Sequence, residues 1–123
     1  MRYKLNKKGV GLEIFTPEAM EEYVRCATPE QIHAVCEDYR ATITVDLAMD
    51  TAEYGKAKIA CPTLVLWGDN SHCGRHFNVM KAWSDWADNL VGYSIPTGHY
   101  PAEHRPDLVY AAFWRFFRGE SVM

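Results

Sequence analysis

A chain of 123 residues with a formal net charge of −3 and 48% hydrophobic residues has the size and composition of one globular domain. The negative balance offers no electrostatic footprint for nucleic acid, and no apolar run reaches the roughly 18 to 20 residues of a bilayer crossing, so neither partner is expected. The start is basic at Arg2, Lys4, Lys7 and Lys8 but meets Gly9 and Gly11 without an apolar signal segment, which points to the cytoplasm. In that reducing compartment Cys26, Cys36, Cys61 and Cys73, which form no C-x-x-C pair, are expected as buried free thiols.

Residues 1–11 carry charge and glycine without periodicity and read as a lead-in. Thr16-Pro17 opens a helix that should run to about Cys26, with threonine as N-cap, proline at the first helical position, and Phe15 and Met20 placed as a hydrophobic staple. Thr28-Pro29-Glu30-Gln31 repeats the signal as a capping box. Ile32, Val35, Cys36 and Tyr39 then recur at helical spacing, which predicts a buried stripe that orders the tyrosine. From Ala41 to Met49 the β-branched content rises, yet Ile43, Leu47 and Ala48 keep the spacing, so the helix is expected to continue past a bend near Ala41. Asp50 offers a fresh N-cap for a short helix that Gly55 would end. Residues 12–57 thus form one helical segment and 58–123 an α/β portion.

That second portion is organised around Pro62-Thr63-Leu64-Val65-Leu66-Trp67-Gly68, a short apolar run closed by glycine, which reads as a strand buried on both faces of a parallel sheet. A polar loop from Asp69 to Gly74 follows, then an amphipathic helix from Phe77 to Asp88, then a second strand from Val91 to Ile95. Pro96-Thr97-Gly98 turns into a loop with His99 and Tyr100, and Pro106-Asp107 starts a last helix that Gly119 stops. Two parallel strands cannot bury themselves, so the remaining sheet must come from elsewhere, and self-association as a homodimer is one way to supply it.

His99 lies just beyond a strand, where open α/β sheets place their ligands; context leaves a general base and an ordinary loop residue equally open. His72, Cys73 and His76 sit in or beside one loop with no fourth ligand near in sequence, so no metal site and no cofactor are expected. Glu37 and Asp38 are adjacent on a helix and diverge by about 100°, which rules out a facing carboxylate pair. Arg40 is expected to pair with a neighbouring carboxylate, and Arg105 to be solvated.

Cys61-Pro62-Thr63-Leu64-Val65-Leu66-Trp67-Gly68, the helix and strand after it, and Gly98-His99-Tyr100-Pro101-Ala102-Glu103-His104-Arg105-Pro106 together resemble the C-terminal end of an α/β-hydrolase. His33-Ala34-Val35-Cys36-Glu37-Asp38-Tyr39-Arg40-Ala41, followed by Thr44-Val45-Asp46-Leu47, is similar to the cap region of haloacetate (fluoroacetate) dehalogenases. The resemblance implies a partial α/β-hydrolase fold: a helical cap segment, then two parallel strands with flanking helices. It implies an enzyme that displaces halide from a small haloacetate through an aspartate ester, with His99 activating water and Tyr39 binding the departing halide. Such enzymes carry the aspartate on a Gly-x-Asp-x-Gly turn, which this sequence does not contain, and the position that holds the triad acid in many α/β-hydrolases is Ser71. The expectation is a hydrolase portion inactive by itself; the alternative is a self-associating, non-catalytic module that binds small ligands.

Overall fold

The computed structural model describes residues 11–122; the expected lead-in lies outside them apart from Gly11. A single 3₁₀ turn at Leu12–Ile14 leads into α1 (Pro17–Arg25), α2 (Pro29–Thr42) and α3 (Val45–Glu53). Both predicted caps form, with Thr16 Oγ1 accepting from Ala19 N and Thr28 Oγ1 accepting from Gln31 N, each at 3.2 Å. The helix does continue beyond Ala41, but the break falls at 43–44, where Thr44 Oγ1 donates to Arg40 O at 2.8 Å and competes with the regular ladder. Asp50 is therefore interior to α3, not the cap of a new helix. Gly55 closes α3 at φ +76°, a conformation that side-chain-bearing residues resist.

The α/β portion consists of β1 (Thr63–Gly68), α4 (His72–His76), α5 (Val79–Ser84), β2 (Leu90–Ile95), α6 (Pro101–His104) and α7 (Pro106–Phe117). β1 and β2 pair in parallel, from Thr63 opposite Leu90 to Gly68 opposite Ile95, and a bridge between Ile59 and Ala87 extends the contact upstream. The register brings both strands to their carboxyl ends at the same level, so the loops after Gly68 and Ile95 emerge side by side. Asp69 N donates to Ile95 O, and Asn70 N to Thr97 O, each at 3.0 Å, which ties the two loops together.

Two local readings are corrected. The expected polar loop over 69–74 gives way to helix at residue 72, because buried Ser71 caps it by accepting from Gly74 N at 3.1 Å while donating to Gly68 O at 2.6 Å. The helix expected from Phe77 starts later and ends earlier: Asn78 Oδ1 accepts from Lys81 N, and the chain after Ser84 turns to bring Ala87 against Ile59. Residues 101–104 form a short helix with proline at its first position, where the missing N–H is one that no intrahelical carbonyl would have met.

The core is small: Phe15, Val65, Ala87, Ile95, Val109, Ala112 and Val122. No residue of α1, α2 or α3 is buried, so the predicted stripe of Ile32 and Tyr39 is exposed, Tyr39 at 61%. Ile43, Leu47 and Met49 stand open beside it. On α7 the face of Val109 and Ala112 is inward, whereas Tyr110, Phe113, Trp114 and Phe117 project outward, Phe117 at 81%. The four cysteines are free, as expected, but exposed, not buried, because the elements that carry them have little packed over them. Among the described residues no helix is long and apolar enough to cross a membrane.

Candidate functional site

The site is built where β1 and β2 end. Ile95 and Thr97 are almost fully buried, and Thr97 N donates to Ile95 O at 2.7 Å, so the strand is anchored up to the turn that delivers Gly98 and His99. A Cβ on Gly68 would overlap Gly98 O and come within 2.8 Å of Thr97 Oγ1, so the backbones of the two loops touch. A Cβ on Gly74 would likewise run into Gly68 O and meet Asp69 O at 2.8 Å, so α4 is pressed onto the end of β1. Glycines at 68 and 74 thus fix how α4 and the His99 loop stand to one another.

His99 is exposed, and its ring stands edge-on to that of Tyr100, with centroids 4.8 Å apart at 82°. Tyr100 packs on buried Phe15 at 5.5 Å, and Phe15 on Tyr23 at 5.6 Å. This row of rings carries the helical segment to the His99 loop. Burial, then the nearby Tyr39 phenol, push the Tyr100 hydroxyl above its ordinary range. Tyr39 of α2 is thus within electrostatic reach of Tyr100, the residue against whose ring His99 packs.

A second tie clamps the same junction. The Tyr23 hydroxyl donates to Glu103 Oε1 at 2.7 Å, and that carboxylate, followed by burial, pushes the phenol from 10.0 up to about 12. Because the folded value lies above the unfolded one, the stabilisation is complete below pH 10 and disappears as pH rises through 12. Tyr23→Phe should cost about 1 kcal/mol at pH 8, a charged hydrogen bond discounted for partial solvent exposure. The gap between the two proteins' urea unfolding free energies should narrow between pH 10 and 12; a gap constant with pH would refute the assignment.

Beside His99 opens a cleft of about 510 Å³ lined by Asn70, Ser71, His72, Cys73, Arg75, His76 and His99. Its rim holds imidazoles and a guanidinium and no carboxylate. Another hollow of about 450 Å³, lined by Asp50, Ile59, Ala82, Trp83 and Trp86, is largely apolar and holds none of the expected catalytic groups. His33 is a surface residue, 3.7 Å from Glu37, and Arg40 Nε donates to the same carboxylate at 3.2 Å, as anticipated. Arg105 is not merely solvated: it makes a forked pair with Asp107 at 2.9 and 2.6 Å, which holds that carboxyl at about 2. Among the described residues no group of three His, Cys, Asp or Glu side chains is arranged to hold a metal ion. Sequence reasoning gave Phe15 only a staple role and assigned Tyr23, Tyr100 and Glu103 no part in the site. The pairings of Tyr23 with Glu103 and of Phe15 with Tyr100 join positions 80 or more residues apart and leave no periodic trace.

No family model matches the chain. It is 34% identical over 98 residues to a fluoroacetate dehalogenase of Burkholderia sp, a match that spans 79% of this chain and 32% of that protein. A structure from Nostoc sp PCC 7120, titled an α/β-hydrolase, superposes with a TM-score of 0.87 at 42% identity, over 94% of this chain and 40% of its own. One from Pseudomonas aeruginosa, titled an epoxide hydrolase, gives 0.84 at 32% identity, over 95% and 40%. The fold is thus a partial α/β-hydrolase fold, two parallel strands with flanking helices behind a helical segment. More narrowly, the chain is the counterpart of part of a hydrolase related to the dehalogenases or epoxide hydrolases, and it spans about a third of the curated relative it matches.

Proposed function

We propose that these residues are the cap and closing portion of a hydrolase that releases halide from small haloacetates. In this reading His99 activates the water that cleaves the ester intermediate, and Tyr39 donates a hydrogen bond to the halide as it departs. What supports the reading is the junction of the two segments: His99 from the β2 loop packs edge-on to Tyr100, whose ring meets Phe15 and, through it, Tyr23 of the helical segment that also carries Tyr39. An imidazole beside a solvent-open cleft can take a proton from water near neutral pH. A phenol can stabilise an anion most where its charge develops, in the transition state.

The attacking carboxylate is a separate requirement, because the sequence has no Gly-x-Asp-x-Gly turn. The 123 residues alone should therefore release no halide from fluoroacetate or chloroacetate. Mixed with a polypeptide that supplies the rest of an α/β-hydrolase sheet and that turn, they should do so, and Tyr39→Phe should slow the release roughly tenfold to a hundredfold. Halide measured by ion-selective electrode decides it. Release by the chain alone, or reconstituted release indifferent to Tyr39→Phe, would overturn the respective part of the reading.

A second reading, a non-catalytic module that pairs with its own copy, draws on the outward aromatic face of α7, where Tyr110, Phe113, Trp114 and Phe117 are all exposed. Sedimentation of the purified chain separates it from the first. A monomer at high concentration removes it.

A further inference from the structure

A polar loop over 69–74, with His76 beside it, would give the two histidines and the cysteine no fixed relation. As helix α4 they acquire one. His72 and His76 are four residues apart, on one face, and their ring centroids lie 4.6 Å apart at 44°. Two imidazoles at this spacing on a helix are a recurrent pair of ligands for zinc-like cations, since one ion can meet a nitrogen of each without moving the backbone.

We infer that His72 and His76 form a bidentate site for a borderline divalent transition-metal ion, Zn²⁺, Ni²⁺ or Cu²⁺, on the wall of the cleft that His99 also lines. Three observations support it. First, the pair is preorganised: buried Ser71 caps α4 and donates to Gly68 O at 2.6 Å, and Gly74 allows the helix to sit directly on the end of β1. The ordering cost that usually weakens a surface chelate is thereby met by the fold. Second, both rings are exposed, and among the described residues no ion pair or hydrogen bond to a carboxylate occupies either. Third, the cleft they share with Asn70, Cys73, Arg75 and His99 is wide enough, at about 510 Å³, for the ion to keep water or take an incoming ligand in its remaining positions.

Because no third His, Cys, Asp or Glu among the described residues joins the pair, the site is open, not closed. It belongs to the exchangeable kind and not to the structural kind. Imidazole donors favour Cu²⁺ over Ni²⁺ and Zn²⁺ and give hard Mg²⁺ or Ca²⁺ nothing to bind. The site is independent of the halide-release reading, since its test needs no turnover.

The experiment titrates ZnCl₂, NiCl₂ and MgCl₂ into the intact chain under reducing conditions, followed by isothermal calorimetry and by imidazole proton NMR. Expected are one saturable site for Zn²⁺ and for Ni²⁺, none for Mg²⁺, and Ni²⁺ broadening that begins at the ring signals of His72 and His76. His72→Gln and His76→Gln should each weaken Zn²⁺ by more than about tenfold, with far-UV spectra unchanged because both residues are exposed. Cys73→Ser should leave Zn²⁺ affinity within about twofold. The NMR broadening needs no variant, so it stands even if a substitution disturbs α4. Binding that follows Cys73 instead of the histidines, broadening centred elsewhere, or no saturable binding would each overturn the site.

Discussion

Gly68→Ala is expected to cost more than about 3 kcal/mol, enough to unfold much of so small a core. The reason is backbone against backbone. The new methyl would overlap Gly98 O and approach Thr97 Oγ1 at 2.8 Å, and Thr97 is 2% exposed and cannot yield. Nor can β1 retreat, because it is held along its whole length by β2 and, at its end, by the Asp69 N to Ile95 O bond. Gly55→Ala is the control: nothing lies within 4 Å of the added carbon, but φ is +76°, so only the conformational penalty of about 1 kcal/mol applies. Urea unfolding of the two variants should therefore give a clear order, with Gly68→Ala far below Gly55→Ala. A Gly68→Ala protein within 1 kcal/mol of wild type would show that the two loops are not in contact, and the site geometry would go with it.

What could be read from the sequence, and what could not, divides along a physical line. Caps, strands and glycine stops were legible because each depends on neighbours within four residues: Thr16, Thr28, the Thr63–Gly68 run and Gly119 at φ +71° all behave as their local chemistry requires. The parallel pairing and the location of His99 after β2 followed from the order of those elements. The failures involve distance or cover. A helical stripe such as Ile32, Val35 and Tyr39 announces that something should pack on it, and carries no information on whether that something is in the same 123 residues. α4 was missed for another reason: its cap contacts are local, Ser71 with Gly74 and Gly68, but the five residues His-Cys-Gly-Arg-His hold a glycine and no apolar period to mark them as helix. Of the candidate site, His99 and Tyr39 came from motif resemblance, whereas the ring row through Phe15, Tyr23 and Tyr100 that relates them had to be seen folded.

His99→Ala in the reconstituted enzyme should slow steady-state halide release by roughly 10² to 10⁴, the usual worth of a positioned general base. The two chemical steps make the prediction sharper than a simple loss. In the first, a carboxylate oxygen attacks the carbon that bears halogen, the carbon–halogen bond breaks and halide leaves with its electron pair; no proton moves, so His99 is not needed. In the second, water attacks the carbonyl carbon of the resulting ester while the imidazole takes its proton; the carboxylate is regenerated and the hydroxyacid departs. Removing the imidazole therefore strands the ester. Rapid-quench measurement should show a burst of one halide per assembled site, close to the wild-type first turnover, followed by near silence, and mass spectrometry should find the polypeptide that carries the carboxylate heavier by the carboxymethyl remnant. A uniform slowing with no burst would place His99 in the halide-release step instead. A steady-state rate equal to wild type would leave it no chemical role, and Tyr100, against which its ring packs at 4.8 Å, would then be supporting a structural contact alone.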